Sequence, residues 1–187
     1  DVASGKTEME YVGHEKAAIC YQYSRDGKKL ITGGGDGKII VWNAETGDTI
    51  MTIPSYQEPV LDIRFNSDET QILSSSWDAS VKIHDAVTGQ RLFYYDSKNG
   101  SAYKAQFSHN DLYIITADLP TGLRMMEIDT QTTIRDFIGH TATVSVIELT
   151  QDGKKLLSAS WDGTMRLWDI ATGLTDRKYT GHVGEIH

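Results

Sequence analysis

The chain has 187 residues, 24% charged and 39% hydrophobic, a balance that suits a folded globular protein, and its three prolines leave no Pro-rich linker. Its net charge of −8 argues against a nucleic-acid groove, because neutralising phosphates takes clustered Lys and Arg. The one cysteine excludes a disulfide within the chain, and neither an apolar run of about 18 residues nor an N-terminal signal pattern occurs, so the expectation is an intracellular protein, cytoplasmic first, with cytoskeletal, ciliary or nuclear placement as alternatives.

From the N-terminus, Gly5-Lys6-Thr7 looks like the end of a phosphate-binding loop. The following Glu8-Met9-Glu10-Tyr11-Val12 alternates like a strand and offers no helix N-terminus for a phosphate. Cys20 sits in the apolar run Ala17-Ala18-Ile19-Cys20-Tyr21 and reads as a small core hydrophobe. Asp26-Gly27 marks a first turn, and Gly33-Gly34-Gly35-Asp36-Gly37 reads as a strand end and hairpin turn. Asp68-Glu69 and Asp78-Ala79 take the same two turn positions further on, followed by Asn110-Asp111 and Leu119-Pro120-Thr121-Gly122. Phe93-Tyr94-Tyr95 could stack on bases, but in an acidic protein an outer or packing strand is the better reading.

Residues 141–180 show one unit most clearly. Val144–Leu149 is β-branched and reads as a first strand, Asp152-Gly153 turns, and Lys155–Ser160 is the second strand. Asp162-Gly163 turns again, Thr164–Trp168 alternates as the third strand, and Asp176–Tyr179 is a polar outer strand. Beyond it, His182, Glu185 and His187 gather potential metal ligands, but with no cysteine partner a zinc site is a poor reading.

These units keep a fixed period. Gly5, Gly47, Gly89, Gln131 and Gly173 are each 42 residues apart, and so are Asp1, Asn43, Asp85, Glu127 and Asp169. A repeat of this length is one supersecondary unit, and a small four-stranded sheet buries its faces only by stacking on copies of itself.

Gly13-His14, Gly139-His140 and Gly181-His182, with Trp42-Asn43, Trp168-Asp169 and a degraded copy at His84-Asp85, resemble the Gly-His and Trp-Asp elements of the WD-repeat β-propeller family. The resemblance covers essentially the whole chain. It implies an all-β fold, a β-propeller of four-stranded antiparallel blades around a channel, with about four blades present. The repeats fall at approximately 13–54, 55–96, 97–138 and 139–180, with incomplete units at 1–12 and 181–187. Both ends fall mid-phase, so the expectation is a segment of a seven- or eight-bladed ring, with a ring closed by two copies as the alternative.

The resemblance also implies a buried polar network. It comprises His14, Thr32, Asp36 and Trp42 in the first repeat and His140, Ser158, Asp162 and Trp168 in the fourth. Read alone, Ser, His and Asp would suggest a nucleophilic triad. The recurrent spacing favours a structural network, which is favourable only when each polar member is satisfied. The second repeat keeps Ser74 and Asp78 but has Tyr56 and His84 in place of His and Trp. The third keeps Thr116, with Lys98, Pro120 and Met126 at the other positions. Those two blades are expected to hold together mainly by apolar packing.

The family's exposed contact positions, carried over, fall on Ala17, Ile19 and Gly35; Pro59, Leu61 and Trp77; Ser101, Tyr103 and Leu119; and Thr143, Ser145 and Trp161. Large aromatics at exposed loops are typical interface anchors, which singles out Trp77 and Trp161, with Ile19, Leu61, Tyr103 and Leu119 extending the patch. The alternative is that both tryptophans pack across blade edges. The implied function is a non-enzymatic scaffold for protein or peptide partners within a larger assembly, without cofactor or metal. A ubiquitin-ligase substrate receptor or a structural axonemal or ciliary subunit would use the same scaffold. Enzymes and nucleic-acid binders are the lesser classes.

Overall fold

Each repeat folds as four short antiparallel strands, because no β-prone run extends past six residues before turn residues interrupt it. The computed structural model describes residues 7, 9–98, 100–118, 122–182 and 184–186. Blade 1 holds β1 (Ala18–Tyr23), β2 (Lys29–Gly34), β3 (Lys38–Asn43) and β4 (Thr49–Pro54). Blade 2 holds β5 (Val60–Phe65), β6 (Gln71–Ser76), β7 (Ser80–Asp85) and β8 (Arg91–Asp96). Blade 3 holds β9 (Ala102–Phe107), β10 (Tyr113–Asp118), β11 (Gly122–Glu127) and β12 (Thr133–Asp136). Blade 4 holds β13 (Val144–Leu149), β14 (Lys155–Ser160), β15 (Met165–Asp169) and β16 (Thr175–Tyr179). Every sheet is a meander in chain order, and no helix occurs among the described residues.

Successive blades meet mainly along their first strands, β1, β5, β9 and β13, which therefore lie innermost, while β4, β8, β12 and β16 lie outermost. The core is a series of inter-blade layers. Ile31, Ile39 and Val41 pack against Val60, Ile63 and Ile72 of the next blade. Leu73, Val81 and Phe93 do the same against Ala105 and Ile114, and Ile115, Leu123 and Phe137 against Ile147 and Trp168. Full burial of one such aliphatic side chain is worth about 1.5–3 kcal/mol, so each layer holds its two blades together strongly.

The first turn of each blade closes the same way. Ser24, Asn66, Ser108 and Thr150 donate to Asp26, Asp68, Asn110 and Asp152, a local side-chain bond that mimics a backbone turn. At the second turn Gly37 adopts φ 75° against the carbonyl of Tyr56, which a Cβ would strike, so both the angle and the approach require glycine.

Two irregularities recur in phase. The pairing of each first strand with the second skips one residue: Ile19, Leu61, Tyr103 and Ser145. The third and fourth strands slip just before Trp42, His84, Met126 and Trp168. These are β-bulges, which free a residue from the ladder and re-aim its side chain.

Candidate interaction face

Blades 1 and 4 carry the expected networks. Trp42 Nε1 donates to Thr32 Oγ1 at 2.9 Å, Thr32 Oγ1 lies 2.7 Å from His14 Nε2, and His14 Nδ1 lies 3.0 Å from Asp36 Oδ1. In blade 4, Trp168 Nε1 donates to Ser158 Oγ at 2.7 Å, Ser158 meets His140 Nε2 at 2.7 Å, and His140 Nδ1 meets Asp162 Oδ2 at 2.8 Å. A consistent proton order is Trp N–H to hydroxyl, hydroxyl to Nε2, and Nδ1–H to carboxylate. Burial, partly opposed by Asp162, lowers the His140 pKa and favours the neutral ring this order needs.

The carboxylates clamp two loops together. Asp36 accepts the backbone N–H groups of Glu15 at 2.9 Å and Lys38 at 3.2 Å, and Asp162 those of Thr141 at 3.0 Å and Thr164 at 2.9 Å. Burial works against the charge of Asp162, but hydrogen bonds from Thr164, His140 and Thr141 outweigh it and hold its pKa well below the usual carboxylate range. Ser158 is fully buried beneath Trp168, so the Ser-His-Asp group is a loop clamp with no access for a substrate.

Blades 2 and 3 show the apolar packing expected of them, and each adds a polar network that differs from that of blades 1 and 4. In blade 2 the Tyr56 hydroxyl donates to the Ser74 carbonyl at 2.8 Å and lies 2.8 Å from Ser74 Oγ. Lys82 Nζ sits 3.8 Å over the Tyr56 ring, 3.9 Å from Asp78, and donates to the Ser55 carbonyl. His84 Nε2 lies 3.4 Å from Ser55 Oγ, and its Nδ1 is buried with no hydrogen-bond partner among the described residues. In blade 3 Asp118 Oδ2 accepts from the Tyr95 hydroxyl on β8 of blade 2 at 3.1 Å, and Arg124 Nε lies 3.5 Å from the same oxygen. Burial, opposed by Arg124, pushes the Asp118 carboxyl up to about 6. Sequence reasoning missed this triad, although its phase held a signal: Asp118 stands where the other blades have Gly34, Ser76 and Ser160.

The loop face is built on backbone. Gly35, Trp77 and Trp161 donate their N–H groups to the carbonyls of Ala17, Pro59 and Thr143, at 2.8, 3.1 and 2.9 Å. In blades 1, 2 and 4, one of the three candidate positions is thus the bulged residue of the first strand and the other two are tied by this bond. Trp77 is 52% exposed and Ile19 47%, while Leu61 and Tyr103 are half-buried. Ser101 Oγ donates to the Trp77 carbonyl at 3.2 Å, bracing that loop from blade 3. Trp161 packs edge-on against Tyr103, ring centroids 5.7 Å apart at 78°, so it packs across the blade boundary at the candidate face. Leu119 lies outside the described residues. Beneath the face, Asp62 on β5 accepts from Lys104 Nζ at 3.1 Å and lies 3.5 Å from Arg64 Nε, giving the inner strands a charged lining.

The remaining sequence candidates resolve into structure. Cys20 packs on the first inter-blade core, and burial followed by the charge of Asp62 pushes its thiol up to about 12, far from a reactive thiolate. Phe93 is buried on β8, with Tyr94 exposed beside it. No group of three or more metal-ligating side chains converges among the described residues; His187, like Gly5 and Lys6 of the loop-like motif, lies outside them.

Residues 5–43, 47–85 and 131–169 match the family described as WD domain, G-beta repeat. The corresponding stretch 89–127, which carries the Tyr95–Asp118–Arg124 triad, lies outside those matches. The chain is also 38% identical over 45 residues to an uncharacterized WD repeat-containing protein of Schizosaccharomyces pombe and to the periodic tryptophan protein 2 homolog of Mus musculus. Each alignment covers 24% of this chain and, respectively, 11% and 5% of the relative, so this chain matches only a small part of either protein.

Proposed function

The chain belongs to the WD domain, G-beta repeat family, and from that premise we propose that it is a non-enzymatic scaffold whose loop face binds a protein or peptide partner as part of a larger assembly. Repeats of this family generally mediate protein–protein interactions. The observation that carries the reading is the phase of the bulges. The residues released from the ladder, Ile19, Leu61 and Tyr103, share one face with the 52%-exposed Trp77. In blades 1 and 2 the loops beside them are tied by the Gly35–Ala17 and Trp77–Pro59 backbone bonds, so a partner would meet apolar anchors that cost little further ordering. The acidic balance of the chain favours a protein over a nucleic acid as that partner.

Crosslinking and mass spectrometry from native extract, comparing wild type with Trp77→Ala and Trp161→Ala, tests the reading. Trp77→Ala should melt like wild type and lose partners. Recovery of the same partners by both folded variants would sink the proposal.

A further inference from the structure

On the opposite end of the strands from the loop face, the outermost strand of blades 1 to 3 places one side chain at the slot before the next blade. In blade 1 this is Met51, whose Sδ lies 3.0 Å from where a Cβ on Gly89 would stand, and in blade 2 it is Phe93, 2% exposed. Blade 3 has Arg135 at that repeat position. A guanidinium cannot be left in an apolar slot, and Nη1 donates instead to the Ile170 carbonyl at 2.5 Å. A cavity of about 400 Å³ opens between blades 3 and 4, lined by Tyr113, Met125, Ile134 and Ile170 with Arg135 and Lys154 beside them.

Asp169 borders the cavity, but its carboxylate already accepts from Lys155 Nζ at 2.9 Å and from Thr172. Among the described residues the Arg135 guanidinium is held by a carbonyl rather than a carboxylate, and the exposed Lys154 has the neighbouring exposed Asp152 acting on it but makes no close ion pair. An apolar cavity of this size with two cations at its edge fits one kind of visitor. We propose that it binds an extended peptide segment through one bulky aliphatic side chain, with the carboxylate of an adjacent acidic residue held by Arg135 and Lys154. The apolar side chain takes the volume that Phe93 fills one blade earlier. The site is separate from the loop face and stands or falls independently of it.

Fluorescence anisotropy with the labelled peptide Gly-Ser-Leu-Asp-Glu-Gly tests the proposal on the whole chain. Replacing its Leu by Ser, or its two acids by Lys, should each weaken binding by about tenfold or more. Arg135→Phe should fill the slot, abolish binding and keep or raise Tm. Lys154→Glu changes an exposed side chain and should weaken binding about tenfold with Tm unchanged, which decides the matter even if Arg135→Phe folds poorly. Trp77→Ala should bind the peptide like wild type. No binding by wild type up to about 1 mM peptide would overturn the proposal, as would equal binding of the lysine peptide, indifference to Lys154→Glu, or loss of binding in Trp77→Ala.

Discussion

Glu69, in the first turn of blade 2, accepts the backbone N–H of Arg25 in the first turn of blade 1, with Oε1···N 2.5 Å. Asp111 in blade 3 does the same for Ser67 in blade 2, at 2.9 Å to the N–H and with a further bond from the hydroxyl. Both acceptors sit at left-handed angles, φ 62° and 55°, where blades 1 and 4 have Gly27 and Gly153. A side chain there costs about 1 kcal/mol, and a charge-assisted bond to a neighbouring blade offsets it. The first turns of blades 1 to 3 are thereby laced together.

Glu69→Ala should lower stability by about 1–2 kcal/mol, since it keeps the backbone strain and loses the bond. Glu69→Gly relieves the strain and should be the milder change. Chemical denaturation ranks the two, and a glycine variant less stable than the alanine variant would contradict the account.

Asp162→Ala should cost about 2–4 kcal/mol, because it strips His140, Thr141 and Thr164 of their shared acceptor and leaves a buried imidazole N–H unpaired. Asp78 is bonded to Ser80 and lies 3.9 Å from Lys82, so Asp78→Ala should cost about 1 kcal/mol. Equal shifts in Tm would contradict the clamp role assigned to Asp162.

Burial, reinforced by the charges of Lys82 and Arg91, holds the His84 pKa at about 4, below its ordinary 6.5. The unfolded chain therefore takes up the proton first. The contribution of neutral His84 is complete above about pH 6.5 and is lost as pH falls toward 4, by up to about 3 kcal/mol. Asp118, raised to about 6, acts in the other direction: its cost at neutral pH is relieved as pH falls from about 6 to 4. His84→Phe should therefore flatten or reverse the loss of Tm between pH 6.5 and 4.5. An unchanged slope would remove His84 as its source.

Asp118→Ser should cost about 3 kcal/mol by leaving the partly buried Arg124 and Tyr95 without their acceptor. Adding Arg124→Ile, the residue of blade 1 at that position, should recover most of the loss, since a buried ion pair adds little over apolar side chains of similar size. A double variant no more stable than the single would show that the pair stabilises blade 3 in itself.

The fold and the clamp were legible because both are written inside one repeat. Asp162-Gly163 and Trp168 specify a turn and a donor whatever the neighbouring blade contains. Features spread across two blades were not. Glu69 in the sequence is an ordinary polar turn residue, and its bond to Arg25 depends on how blades 1 and 2 dock. Arg135 looks like a surface charge until the slot that Phe93 fills is seen. The candidate face was legible as positions, but the packing of Trp161 on Tyr103 depends on the angle between blades 3 and 4. The Asp118 triad was passed over because the motif describes what that blade has lost and not what replaced it.

The slip between the third and fourth strands comes just before Trp42, His84, Met126 and Trp168, whichever residue is present. Strand pairing at this point is therefore indifferent to the side chain. An indole, an imidazole and a thioether all follow the same bulge without altering the ladder on either side. Such a socket separates the construction of a blade from its chemistry, so a residue here can be exchanged to tune the polarity of one blade boundary while the array keeps its shape.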